Sequence, residues 1–88
     1  MRIDSVTLKF NNSPTIEIAQ SSLNLRNFNV CLDNKIIFIL PDNADKALIE
    51  ETARCTLVAF AKLAPVRNVD RGSFVAKIER AIEFVLAG

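Results

Sequence analysis

The strongest constraint on the fold is the segment at residues 53–64, ARCTLVAFAKLA, in which nine of twelve residues are apolar. The apolar residues recur at the spacing of a helix rather than with the alternation of a strand. A chain of 88 residues buries only about 60 to 65% of the surface that its unfolded form exposes. What covers this helix therefore decides the architecture.

On a helical wheel, this segment and the residues before it form an apolar arc of about 200°. The charged residues Arg54 and Lys62 lie in the remaining sector, and Val58 is an apolar exception among the charges. An arc of this width can contact a sheet and a second helix at once. The residues placed in it are Leu48, Ile49, Ala53, Cys55, Leu57, Ala59, Phe60, Leu63 and Ala64.

The first forty residues have strand patterns. Val6, Leu8 and Phe10 alternate with polar residues, which is the period of a half-buried strand. The residues NNSP at 11–14 have the composition of a turn. A second strand is predicted at residues 15–20, because apolar and polar residues alternate there as well.

A third strand and a tight hairpin follow. Apolar positions change from odd to even numbers between residues 23 and 28, which predicts a β-bulge near Arg26 and Asn27. Asp33 and Asn34 are residue types that tolerate positive φ. They predict a two-residue hairpin between the third strand and a fourth.

The fourth strand, at residues 35–40, contains the run IIFIL and is apolar on both faces. Such a strand is either covered on both sides or presents one apolar face to a partner. If Ile37 and Ile39 point away from the helices, dimerisation through the sheet would cover them. The pattern leaves open which face the helices cover.

The rest of the chain predicts two helices. The first extends from about residue 44 to 63, with Asp42 or Asn43 as its N-cap. Pro65 ends it, because proline has no N–H to donate and disfavours helical geometry in the preceding residue.

The second helix extends from about residue 73 to 87, with Asp70 or Ser73 as its N-cap. Four strands followed by two helices predict an α+β fold. We expect one domain over residues 1–88, with a four-stranded antiparallel sheet at about residues 2–40. Two antiparallel helices should pack on one face of that sheet.

The composition argues against catalysis. The chain has no His and only two Gly, so it lacks the commonest general base and metal ligand and any glycine-rich phosphate loop. Two cysteines without histidine cannot form a four-ligand zinc site. Glu79 and Glu83 lie four apart on the second helix, where paired carboxylates are usually surface residues. We therefore expect no enzymatic activity, no cofactor and no metal.

Charge and hydropathy limit the location and the partners. The net charge is +1, which gives no electrostatic argument for a nucleic acid or an anionic membrane. The first residues lack the apolar core of a signal peptide, and no apolar run approaches the ~20 residues that span a bilayer. We expect a cytoplasmic protein in which Cys31 and Cys55 are reduced, buried side chains.

Three residues of the second helix form the first candidate binding surface. The helix directs an apolar stripe to the core, but Phe84 falls on the opposite face near Lys77 and Arg80. Surface helices also contain isolated apolar residues, yet an aromatic ring beside arginine is typical of binding hot spots. Val58, Ile37 and Ile39 complete the predicted partner-binding set.

The leading hypothesis is a non-catalytic interaction protein that binds a protein partner and forms a homodimer. It resembles, by size and simplicity alone, the inhibitors and accessory proteins of phages and mobile elements. The alternative is nucleic-acid binding through the basic helical half. In that case Arg67 and Arg71 would hold an anion between the helices.

Overall fold

The computed structural model describes residues 5–10, 14–63 and 70–87. The predicted α+β fold is confirmed, because four antiparallel strands precede two helices that contact each other and the sheet. The elements are β1 (Ser5–Leu8), β2 (Ile16–Gln20), β3 (Asn27–Leu32), β4 (Lys35–Pro41), α1 (Lys46–Leu63) and α2 (Arg71–Ala87). Both helices begin within two residues of the predicted positions.

The sheet is a meander in the order β1-β2-β3-β4. Its helix-facing side follows the strand period: Ile16 and Ile18 of β2 are buried opposite Leu32 and Val30 of β3. Glu17 lies between the two isoleucines and is exposed. This alternation makes the inner face of the sheet apolar. The strand order places β1 and β4 at the two edges.

The hairpin between β3 and β4 has the predicted geometry. Asp33 and Asn34 have φ angles of 52° and 68°, the left-handed values that a two-residue turn between twisted strands requires at both positions. The turn pairs Leu32 with Lys35. Its residue types therefore predicted both its place and its conformation.

The predicted bulge near Arg26 and Asn27 is wrong. β3 begins at Asn27, and the leucines at 23 and 25 lie in the loop before it. The register shifts instead between Val30 and Cys31, where Ile37 is the extra residue of β4.

The shift decides which face of β4 is covered. Phe38 and Leu40 pair with the buried residues of β3, whereas Ile36 and Ile39 pair with its outward residues. Ile36 is 57% exposed and Ile39 is 62% exposed. Ile37 is half-buried and packs against the core, so the expectation that it shares an open face with Ile39 is wrong.

The N-cap of α1 is Asp45 rather than the predicted Asp42 or Asn43. Its Oδ1 accepts a hydrogen bond of 2.8 Å from the backbone N–H of Leu48. At α2 the cap is Asp70, one of the two predicted candidates, because its Oδ1 accepts from the N–H of Gly72 at 3.0 Å. Each carboxylate satisfies an amide that the first turn of a helix leaves without a partner.

Asp45→Ala should lower the free energy of unfolding by about 1 kcal/mol, because it removes this capping bond and a negative charge at the helix N-terminus. Asp42→Ala is the matched control, since that exposed side chain does not cap α1. Urea denaturation followed by circular dichroism measures both. Equal losses for the two variants would contradict the assignment of the cap.

Helix α1 buries a narrower face than the wheel predicts. Its buried residues are Ile49, Thr52, Ala53, Thr56, Leu57 and Phe60. Leu48, Cys55 and Leu63 are exposed, because the arc extends beyond the surface that the sheet and α2 cover. The Thr56 hydroxyl donates to the Thr52 carbonyl at 2.8 Å, so this buried polar group has a hydrogen-bond partner inside the apolar face.

Three aromatic rings join the two helices to the sheet. Phe60 of α1, Phe74 of α2 and Phe10, which follows β1, lie with ring centroids 5.0 to 5.3 Å apart. These are the distances of favourable aromatic pairs. Because the end of α1 meets the start of α2 here, this cluster fixes the positions of both helices on the sheet.

Candidate functional site

A groove between strand β1 and helix α2 is the candidate site, and we call it the β1–α2 groove. It has a volume of about 460 Å³. The residues that line it are Val6, Leu8, Lys77, Arg80, Ala81 and Phe84. It therefore contains three of the residues predicted to bind a partner.

Regular spacing places these side chains on facing surfaces. Residues 77, 80, 81 and 84 follow the i, i+3, i+4, i+7 pattern and form one face of α2. Val6 and Leu8 lie two apart on β1 and point to the same side of the sheet. The groove is the space between these two rows.

Phe84 is 55% exposed, which agrees with its predicted absence from the core stripe. The predicted position opposite the core is wrong, because Phe84 lies on the side of α2 that faces β1 and lines the groove with the half-buried Val6 and Leu8. Folding buries only part of this large ring, so the ring contributes little to the free energy of folding. A partner that covers it would bury the remaining apolar surface and gain binding free energy from it.

The charged side chains of the groove are both cations. Lys77 and Arg80 are exposed, and none of the described residues that line the groove is acidic. The Nζ atom of Lys77 lies 5.9 Å from the centroid of the Phe10 ring, within the range of a cation–π contact. The groove thus combines an apolar floor with positive charge.

One wall of the groove is a sheet edge. β1 pairs with β2 on one side, and no other described strand pairs with it. An edge strand presents backbone N–H and C=O groups that a further strand can use. The site therefore offers backbone hydrogen bonds beside its apolar and cationic side chains.

The other predicted site residues lie elsewhere. Val58 is exposed on α1, and Ile39 lies on the outer face of β4. Neither lines the groove, and Ile37 packs against the core. Arg71 is exposed at the first position of α2, whereas Arg67 lies outside the described residues.

Both cysteines differ from the expectation of burial. Cys55 is exposed on α1, and Cys31 is half-buried on the outer face of β3. Partial burial raises the pKa of the Cys31 thiol, and the carboxylate of Glu17 directly opposite on β2 raises it further. A thiol with a raised pKa is less reactive, so this position gives no sign of a nucleophile.

A smaller groove lies between β4 and α1. Its volume is about 250 Å³, and Phe38, Leu48, Glu51, Thr52 and Cys55 line it. Within residues 5–10, 14–63 and 70–87, no group of three or more Cys, Asp or Glu side chains could hold a metal ion. No helix in the same part of the chain is long and apolar enough to cross a bilayer.

Sequence reasoning missed the loop between β2 and β3. The buried Ser21 accepts hydrogen bonds at its Oγ from the N–H groups of Leu23 and Asn24, both at 3.2 Å. Leu23 is 98% exposed in this loop. The serine and asparagine signals of the turn were present, but the alternating leucines favoured a strand.

Comparison with known proteins finds no family model that matches the chain, and no similar curated protein or solved structure.

Proposed function

We propose that this protein is a non-catalytic module that binds a protein partner through the β1–α2 groove. The observation that supports it is the convergence of an exposed Phe84, two cations and a free strand edge in one place. Aromatic and arginine side chains are enriched among the residues that dominate binding energy in protein interfaces.

The shape of the groove favours a macromolecule over a small molecule. Small-ligand pockets bury most of the ligand surface, and that requires walls that surround it. Lys77, Arg80 and Phe84 all remain exposed here. A macromolecular partner that packs over the groove would bury all three side chains. The module would then act as an inhibitor or accessory protein by occupying a surface of its partner.

The proposed location is the cytoplasm. Cys31 and Cys55 are free thiols, and a reducing compartment would keep them so. The proposed homodimer has a separate surface on the outer face of β4, where Ile36 and Ile39 are exposed. A second copy that covers this face would leave the β1–α2 groove open to the other partner.

Affinity capture with matched variants tests the proposed function. The wild type should enrich a partner protein from extracts of its native host. Phe84→Ala should recover at least tenfold less of that partner, as expected for a moderate hot spot. Leu63→Ala is the control, since Leu63 is similarly exposed at 60% but lies on α1, outside both the groove and the outer face of β4. Equal recovery with both variants would contradict the proposal.

Nucleic-acid binding predicts a different result in the same experiment. Lys77 and Arg80 belong to the basic set on which that alternative rests. Phosphate contacts release counterions, so the affinity falls steeply with salt. Capture that nuclease treatment abolishes, or that disappears between 50 and 200 mM salt as expected for about six or more phosphate contacts, would favour the alternative.

A further inference from the structure

We propose that the β1–α2 groove binds an extended acidic segment of the protein partner, which adds to the sheet as a fifth strand beside β1. This inference rests on the proposed function and specifies the chemistry of the partner. It predicts acidic side chains next to Lys77 and Arg80 and an apolar side chain next to Phe84.

The free edge of β1 determines the backbone conformation of the partner. Residues 5–8 pair with residues 16–19 of β2 through one side of the strand. In an antiparallel pair, every second residue directs its N–H and C=O groups to the neighbouring strand. The remaining residues of β1 direct theirs outward. Only an extended segment can satisfy them in series, as in strand-addition modes of peptide recognition.

The order of side chains along the groove follows from the direction of α2. Phe74 at the start of α2 stacks on Phe10, which follows β1, with a centroid distance of 5.0 Å. The start of the helix lies near the end of the strand, and residues 77 to 84 of the helix then line the same groove as Val6 and Leu8, so α2 runs back along β1. Lys77 therefore lies toward the Leu8 end of the groove, and Phe84 lies toward the opposite end.

Charge determines the composition of the segment. Two cations line the groove, and none of its described lining residues is an acid that could neutralise them. Alternate residues of an added strand point to the same side, so two acids and one apolar residue at alternate positions would meet the helix. The residues between them would face away from it.

The same charges argue against a second copy of this chain. If two β1 edges paired about a two-fold axis, Lys77 and Arg80 of both copies would be brought to one junction. Like charges directly across an interface oppose association. The groove therefore fits a partner of complementary charge, and self-association belongs to another surface.

Two fluorescein-labelled peptides test the inference, TETETLT and its reverse TLTETET, which together cover both strand directions. We expect one of them to bind the wild type at micromolar concentrations in fluorescence anisotropy. Replacing each Glu of that peptide by Lys should weaken binding at least tenfold. The double variant Lys77→Glu/Arg80→Glu should reverse this preference and bind the lysine peptide better.

Further controls separate strand addition from charge attraction. N-methylation of alternate backbone amides should abolish binding, because it removes the donors that pair with β1. Amide hydrogen exchange in residues 5–8 should slow when the unmodified peptide binds. Phe84→Ala should weaken binding about tenfold, and Leu63→Ala should leave it unchanged, because Leu63 is exposed on α1 and does not line the groove.

Four outcomes would overturn the inference. These are the failure of both glutamate peptides to bind, an unchanged preference in the double variant, full binding of the N-methylated peptide, and equal displacement by a twelve-nucleotide single-stranded DNA. If affinity capture still depends on Phe84 in any of these cases, the protein-binding function stands and only the acidic strand fails. If capture does not depend on Phe84, the proposed function itself fails.

Discussion

Phe60→Ala should lower the free energy of unfolding by about 3 to 5 kcal/mol, the largest stability effect that we expect from a single truncation. The ring is 1% exposed and contacts Phe10 and Phe74 at centroid distances of 5.3 and 5.1 Å. Its loss removes buried apolar surface and leaves a cavity where α1, α2 and the sheet meet. A small domain has only about 5 kcal/mol or slightly more to lose, so the variant should keep no more than about 2 kcal/mol and unfold at a much lower temperature and urea concentration than the wild type.

Thermal and urea denaturation, followed by circular dichroism, measure this effect. Phe84→Ala is the matched control, because it removes the same ring from an exposed position at 55% exposure. We expect its melting temperature to stay close to that of the wild type. If Phe84→Ala unfolded the protein and Phe60→Ala did not, the orientation of both helices would be wrong.

Leu40→Asp should unfold the protein, whereas Ile39→Asp should not. Leu40 is 2% exposed and faces the helices, but Ile39, one residue earlier, is 62% exposed on the outer face. A buried carboxylate without a partner costs several kcal/mol or takes up a proton. The same group on an open face remains hydrated. One position along a strand therefore separates the two results.

Circular dichroism and size-exclusion chromatography of the two variants provide the measurement. Folded Leu40→Asp together with unfolded Ile39→Asp would mean that the register of β4 is wrong by one residue. Sedimentation of Ile39→Asp also tests the proposed homodimer, since a charge on the outer face should dissociate it. A wild-type protein that sediments as a monomer would contradict the dimer.

The predictable part of the fold depended on local signals. Alternation at residues 5–10 and 15–20 predicted two strands, and the types of Asp33 and Asn34 predicted a turn whose φ angles the structure shows. The aspartate at position 70 predicted a cap that is present. In each case the physical cause lies within a few residues of the chain, so the sequence pattern contains it.

The missed features depended on contacts that are distant in the chain. The run IIFIL has no polar residue to mark its outer face, and only pairing with β3 shows that Ile36 and Ile39 point outward. Cys55 falls in the apolar arc of α1, but neither the sheet nor α2 reaches that sector. The helix or strand period of a sequence shows which residues share a face. It does not show how much of that face a neighbouring element covers.

The candidate site was half predictable for the same reason. Helical spacing alone places Lys77, Arg80 and Phe84 on one face of α2, so the sequence predicts that they lie together. Val6 and Leu8 alternate as core residues do, and nothing local shows that they lie at a sheet edge beside α2. The groove exists only because the topology places β1 outermost.

Site-specific photocrosslinking tests the central claim most directly. A benzophenone side chain is placed at position 84 in one variant and at position 36 in another, and each is irradiated in an extract of the native host. We predict a defined protein adduct from position 84 that position 36 does not give and that excess unlabelled wild type suppresses. No adduct from position 84, or the same adducts from both positions, would contradict the β1–α2 groove as the protein-binding site.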